Sequence, residues 1–403
     1  MTSTHLAADV LLVVYWLLAF AWLRRAVMAL RGIPLLPDLT RMAPRALLDS
    51  VSSEGPDLTV IVPACNEEQA IEATLRSLLA STGVRLQIVA VNDRSTDRTG
   101  ATMDAVAAEA KAGGGPHRLE VIHIRKLPTG WTGKTHALAQ GAKRATAPWL
   151  LFTDADMTFD PRAAELSLRY ATAEKADHVV LALTVEFKSS AEAAVLAAFQ
   201  ALAQWRNRLW KVADPKARDF FGAGGFNLVR RQVYEQLGGF DSLRMEVVED
   251  LRLGWKVKRA GYSQRVVLGP GLANIHWIHG ALGIVGLLEK NGFAAMRYRV
   301  GLSMILFLGF ALQIALPLAA IASGGWSAVA GLLTYVFISL SYVANRPVTQ
   351  ASPWVSIFFA PAIAILTFAL VRSMILTLKR GGVEWRGTFY PLDELRRNAG
   401  HGW

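Results

Sequence analysis

The sequence predicts an α/β domain with a mostly parallel sheet, set between apolar helices at both ends of the chain. Three observations carry that expectation. Residues 57–270 alternate short β-branched runs with amphipathic stretches; apolar runs of about bilayer length lie on either side; and two carboxylates, Asp154 and Asp156, follow the apolar run Trp149-Leu150-Leu151-Phe152. Repeated strand–helix units require a mostly parallel sheet covered on both faces.

The first unit is Leu58 to Pro63, a β-branched strand, followed by Asn66-Glu67-Glu68 and an amphipathic helix from Ala70 to Leu79. Leu86 to Val91 is the second strand and runs out at Asn92-Asp93. Ser95, Thr96 and Asp97 then offer caps for a helix to about Ala112, which Gly113-Gly114-Gly115-Pro116 breaks. Residues 119–124 form a third strand, Thr135 to Arg144 a helix, and Trp149 to Phe152 the strand that carries the carboxylates. Gly222, Gly224 and Gly225 are expected to precede a helix and to let backbone approach a ligand closely.

Composition fits a mixed protein. Over 403 residues, 52% hydrophobic content is too high for an ordinary soluble enzyme, and 19% charged residues is too many for a pure membrane bundle. The apolar runs are Leu6 to Leu23, Leu302 to Ile321 with Trp326 to Ala344, and Trp354 to Leu378, each near the ~20 residues that span a bilayer. The chain is therefore expected to divide into an N-terminal anchor and linker (1–56), the α/β domain (57–270), an interfacial amphipathic segment (271–300), C-terminal transmembrane helices (301–378) and a basic tail (379–403).

Arg24, Arg25 and Arg31 follow the first apolar run instead of preceding it, which marks an anchor and not a cleaved signal. Positive charge stays inside, so the domain is expected in the cytoplasm of a multi-pass protein of the cell membrane. Three C-terminal spans would carry the tail outside, against the pull of Lys379, Arg380, Arg386, Arg396 and Arg397. A cytoplasmic tail is favoured, with the last segment, which contains Pro361, re-entrant or buried.

The single cysteine, Cys65, excludes an internal disulfide and a multi-cysteine metal site. A net charge of +11 points to anionic lipid headgroups, because aromatic-interleaved basic patches are absent and nucleic acid is not an expected partner. His276 and His279 lack a nearby third ligand and read as part of an interfacial aromatic strip.

Val62-Pro63-Ala64-Cys65-Asn66-Glu67, Asn92-Asp93-Arg94-Ser95-Thr96-Asp97-Arg98-Thr99, Asp154-Ala155-Asp156 and Glu249-Asp250 occur in the order and spacing of family 2 glycosyltransferases. The chain resembles that family over about residues 57–300. Pro128 to Lys134 and Gly381 to Thr388 add a resemblance to membrane-attached bacterial enzymes that glycosylate lipids, of the hopanoid-associated, carotenoid and ceramide kind. The resemblance implies a GT-A domain, Rossmann-like, that takes a nucleotide sugar.

It also implies roles. Asp250 is the expected catalytic base, because inverting transfer needs a carboxylate opposite the leaving group to take the acceptor's proton; the alternative is that Glu249 and Asp250 only cap the helix from Leu251 to Arg259. Asp156, with Asp154, is the expected ligand set for Mg2+ or Mn2+, a cation that takes carboxylates plus phosphate oxygens. Pro63, Asn66, Glu67, Asp93, Lys134, Asp154 and Gly224 are the expected donor-binding residues. Glu67 could instead sit in a helix's first turn, and Lys134 at a solvated helix start. Trp131 either packs over a ligand or anchors its loop.

One departure stands out. Processive synthases and ceramide-type enzymes carry Gln or Arg, two residues, then Arg-Trp; the corresponding stretch reads Glu289-Lys290-Asn291-Gly292-Phe293, with Arg297 and Arg299 after it. This weakens the polymer and ceramide readings and leaves transfer of one sugar to a small lipid as the better fit; a polysaccharide synthase and a polyprenyl-phosphate glycosyltransferase are the alternatives. A nucleotidyltransferase and a non-enzymatic nucleotide-sugar sensor are the remoter alternatives. The sequence names no protein partner.

Overall fold

The computed structural model describes residues 3–42, 55–205 and 207–398. Most of the expected linker (43–54) and the last residues of the expected tail (399–403) lie outside them. Two compact units form, one from residues 1–35, 187–207 and 277–380, the other from 36–186, 208–276 and 381–403.

The second unit is built on a seven-stranded sheet. Its strands are β1 (Leu58–Ala64), β2 (Leu86–Asp93), β3 (Arg118–Ile124), β4 (Trp149–Phe152), β6 (His178–Leu181), β8 (Asn227–Arg230) and β9 (Gln264–Val267), in the order β3-β2-β1-β4-β8-β6-β9. Only β8 runs antiparallel to its neighbours. The mostly parallel α/β sheet expected from the alternating runs is present. β5 (Thr158–Phe159), β7 (Thr184–Val185) and β10 (Ala273–Ile275) form a small second sheet.

β1 is buried at every position, as a central parallel strand must be. α2 (Ile71–Leu79), α3 (Thr99–Gly113), α4 (Gly133–Ala142), α5 (Ala163–Ala173), α7 (Arg231–Gln236) and α8 (Glu249–Arg259) complete the layers. Core packing between helix and sheet joins Ile61, Leu150 and Phe152 to Leu138, Leu253 and Val257. Gly222, Gly224 and Gly225 precede β8, not a helix: their successors Asn227 to Arg230 pair with β4 before α7 begins.

The tail does not trail away. It forms a hairpin, β11 (Gly382–Trp385) with β12 (Thr388–Pro391), and a short helix, α13 (Leu392–Asn398), within the same compact unit as the sheet.

The first unit is helical: α1 (Ser3–Gly32), α6 (Ser190–Ala203), α9 (Gly283–Ala295), α10 (Val300–Ser323), α11 (Gly325–Thr349) and α12 (Phe359–Arg380). Four helical stretches are long and apolar enough to cross a membrane: 5–35, 300–323, 325–349 and 353–380. Leu6, Val10, Val13, Leu17 and Phe20 on α1 and Ile305 and Leu308 on α10 are exposed, an apolar surface suited to lipid as solvent. Inside the unit, buried Trp22 donates Nε1–H to Gln313 Oε1 at 2.8 Å and meets Trp205 and Phe359 edge-on. The stretch expected to lie in the headgroup plane is clamped to α12: Glu289 pairs with Arg372 at 3.0 Å and Arg380 at 2.9 Å, and Phe293 N–H donates to Ser373 Oγ at 3.0 Å.

Candidate active site

Parallel strands deliver their following loops to one edge of a sheet, and here that edge collects the carboxylates. Glu67 follows β1, Asp93 ends β2, and Asp154 and Asp156 follow β4. Because β8 is antiparallel, the residues before it reach the same edge, where Thr153 Oγ1 donates to the Gly225 carbonyl at 2.7 Å. Gly224 lies close against the site: a Cβ there would stand 2.6 Å from Asp154 Oδ2 and 3.2 Å from Lys134 Nζ, so those side chains would have to shift. Pro63 lies one residue past the Val62 position and beyond the last β1–β4 pair, Ile61 with Phe152, so its missing N–H costs that ladder nothing.

Lys134 organises the centre. It is the second residue of α4, whose N-cap Thr132 accepts from Thr135 N–H. Its Nζ lies 2.6 Å from Asp154 Oδ1 and 2.7 Å from Glu249 Oε1, a bridge between two carboxylates rather than a solvated helix start. Burial alone would lower its ammonium, but Asp154, Glu249 and Asp250 outweigh that and hold it well above the usual lysine range.

Glu249 and Asp250 open α8, and Asp250 Oδ1 accepts from Leu251 N–H at 2.7 Å. That bond lies within the first turn: the N-cap position is Val248, and no side chain caps the helix. Burial and the Glu249 carboxylate push the Asp250 carboxyl up to about 7, against the pull of Lys134. A carboxyl in that range is a competent base near neutral pH.

Asp156 is exposed, yet desolvation by the protein around it and the Asp154 and Glu67 carboxylates push it up to about 6. Among the described residues no group of three or more His, Cys, Asp or Glu side chains is set to hold a metal ion. A site of two carboxylates, Asp154 and Asp156, still fits a hard divalent cation that draws its remaining ligands from phosphate and water. Mutual repulsion that a cation would relieve is the signature of that fit.

Asp93 is buried and held by its neighbour: Arg94 donates from Nε to Oδ1 at 2.8 Å and from Nη2 to Oδ2 at 2.9 Å. Asn66 adopts φ of 55°, and its side-chain oxygen accepts from Thr96 N–H at 2.8 Å, tying the β1 and β2 loops together. It does not cap α2, which starts at Ile71 with no side-chain cap. Ser95 instead accepts from Asn66 N–H, and Asp97 accepts from Thr99 N–H. Trp131 is a loop anchor: it is buried in the core, edge-on to His136 and under the Arg244 guanidinium.

Residues 59–238 match the family description Glycosyl transferase family 2. They form a family 2 glycosyltransferase domain. The sheet and its ordered carboxylates agree with the GT-A architecture that the resemblance implied. Over 225 residues the chain is 30% identical to the probable glycosyltransferase YdaM of Bacillus subtilis (strain 168), covering 53% of this chain and 49% of that one, so it spans about half of that relative. The 4,4'-diaponeurosporenoate glycosyltransferase of Staphylococcus aureus (strain bovine RF122 / ET3-1) is 23% identical over 354 residues, 84% of this chain and 89% of its own. The mannosyltransferase PcManGT of Pyrobaculum calidifontis, solved with GDP-Man and Mn2+, aligns loosely, at 17% identity and a TM-score of 0.45, over 90% of this chain and 99% of its own.

Reading the glycosyltransferase domain from sequence alone missed the far side of its site. Glu249, expected beside the catalytic Asp250 or as a helix cap, is Lys134's partner. Arg386, noted in the tail's charge and in the stretch Gly381 to Thr388 but given no site role, reaches Glu67 and the carbonyls of Cys65 and Asn66. Its signal was present in Trp385-Arg386-Gly387-Thr388, a two-residue hairpin turn between β-branched and aromatic runs.

Proposed function

We propose that the chain moves one sugar from a nucleotide sugar, foremost a UDP-sugar, to a lipid hydroxyl at the membrane surface, with inversion at the anomeric carbon. The observation that carries this reading is Asp250, a carboxyl poised near neutrality beside the Lys134–Asp154–Glu249 network. A hydroxyl acceptor needs such a base, whereas a polyprenyl phosphate is already anionic and does not.

In this reading Asp93 receives the nucleoside, Pro63, Asn66 and Gly224 shape the backbone around the donor, and Lys134 holds Asp154 in place. Asp154 and Asp156 would hold Mg2+ or Mn2+, which would supply positive charge against the diphosphate leaving group. Asp250 removes the acceptor hydroxyl's proton as the oxygen attacks. A lipid-like acceptor is supported by the relative named for 4,4'-diaponeurosporenoate and by the exposed apolar faces of α1 and α10.

The test uses membranes that contain the protein, incubated with a panel of labelled nucleotide sugars. A lipid bearing one sugar, with release of the free nucleoside diphosphate, is expected. Long sugar ladders would revive a polysaccharide synthase, released pyrophosphate a nucleotidyltransferase, and binding without turnover a sensor.

Arg24, Arg25 and Arg31 after the α1 run support a cytoplasmic domain in the cell membrane. The tail hairpin belongs to the same unit as the sheet, so the chain between 276 and 381 crosses an even number of times. α10 and α11, joined through Gly324 alone, make a crossing and a return. α12, paired with the short α9 through Glu289, is the segment read as not crossing. With Cys65→Ser as background, cysteines at Ala112 and Asn398 are expected to be protected from an impermeant thiol reagent in intact cells, and one at Ser323 labelled. Labelling at 398 alone would sink this topology.

A further inference from the structure

The tail hairpin turns at Arg386 and Gly387, with φ of 50° and 71°, between the paired residues Trp385 and Thr388. Both central residues at positive φ make a type I′ turn, whose first position favours Asn or Gly. Arginine gains nothing from that backbone conformation, and a side chain held in a disfavoured one points to a task for it. Seven non-glycine residues take positive φ among the described residues, and three of them, Asn66, Arg94 and Arg386, meet here.

The hairpin is fastened to the donor-side loops. Tyr390 Oη accepts from Gly133 N–H at 3.0 Å, one residue before Lys134. Thr388 Oγ1 accepts from Arg94 Nη1 at 3.0 Å, the same guanidinium that holds Asp93. Leu392 N–H donates to the Gly381 carbonyl at 2.8 Å and closes the hairpin's base. Thus the turn sets a guanidinium on Glu67, while Lys134 is spent on Asp154 and Glu249, and Arg94 on Asp93.

We propose that the C-terminal hairpin is a wall of the donor site and that Arg386 binds the diphosphate of a nucleoside diphosphate, with Glu67 as its partner when no donor is present. The inference rests on the nucleotide-sugar reading above. A planar guanidinium matches two phosphate oxygens at once, and it never loses its charge. Exchange of one anion for another leaves Arg386 paired in both states, so the site need not expose a bare cation between turnovers. Cys65 and Asn66 carbonyls orient the guanidinium from below through Nη1.

The test compares the full-length protein with Arg386→Asn and Arg386→Lys, by calorimetry with UDP and GDP and by thermal unfolding without ligand. Asn-Gly is the favoured type I′ pair, so Arg386→Asn should unfold at or above the parent's temperature. At the same time, its Kd for whichever nucleoside diphosphate the parent binds should rise about ten- to a hundredfold, the worth of a charged hydrogen-bond pair. Arg386→Lys should fall between. Unchanged affinity in Arg386→Asn overturns the inference, as does affinity that falls only together with the unfolding temperature, since that marks a structural turn. A parent that binds neither UDP nor GDP overturns the nucleotide-sugar reading, and this inference with it.

Discussion

Asp250→Asn is expected to lower turnover by about two to four orders of magnitude, the usual worth of a positioned base, and to leave donor affinity within a few-fold. The amide keeps the shape and the hydrogen bond from Leu251 N–H, so α8 should start where it does now. What it cannot do is take a proton. The same residue sets the pH profile. Its carboxyl is pushed up to about 7 by burial and by Glu249, so the base is protonated below that pH and ionised above it. The parent's kcat/KM should therefore fall about tenfold per pH unit on the acid side of 7, and the residual activity of Asp250→Asn should not show that limb. Steady-state rates from pH 5.5 to 8.5 check both statements. Turnover within a few-fold of the parent, or an acid limb that persists in the variant, would remove Asp250 from the reaction.

Asp156→Ala is expected to abolish the divalent-dependent part of donor binding. In the parent, adding Mg2+ or Mn2+ should raise the unfolding temperature, because a ligand that binds only the folded state stabilises it. In the variant that rise should vanish. Without metal the sign reverses. A carboxyl whose folded value is raised to about 6 is held ionised at a cost above that pH, through burial and the Asp154 and Glu67 charges. Its removal should leave the metal-free protein as stable as the parent or more so at pH 7.5, and this advantage should shrink as pH falls below about 6. Calorimetry of donor binding with and without each ion completes the comparison. A metal requirement that survives in Asp156→Ala would move the cation elsewhere.

The parts of this molecule that were legible in its sequence are those set by neighbours in the chain. Strands β1, β2 and β4 are short apolar runs that lead into Asn66, Asp93 and Asp154, and a parallel sheet must bring such ends to one edge. The apolar helices were legible by length alone. What was not legible depends on chain segments that meet only after folding. Lys134 reads as a helix-start lysine until Asp154 and Glu249 arrive from two other elements. Asn66 reads as a helix cap, yet its side chain is taken by Thr96 N–H, and α2 begins five residues later. Gly222 to Gly225 read as a helix approach because Asn227 to Arg230 is too brief a run to announce an antiparallel strand. Arg386 lies 319 residues from Glu67, and no local pattern joins them.

Ribosomes make the hairpin after the whole seven-stranded sheet. By the time Arg386 is added, the sheet domain from Leu58 to Val267 has been out of the exit tunnel for a long stretch of synthesis, and α10, α11 and α12 have all been made. In the proposed reading the donor edge is therefore finished only after the segment beyond Arg380 has been added. A product that stops short, or one clipped after Arg380, keeps every residue of β1 to β9 and lacks the hairpin that Tyr390 fastens to Gly133. On the proposal that this hairpin walls the donor site, such fragments would carry the sheet and its carboxylates and still be unable to capture a sugar nucleotide.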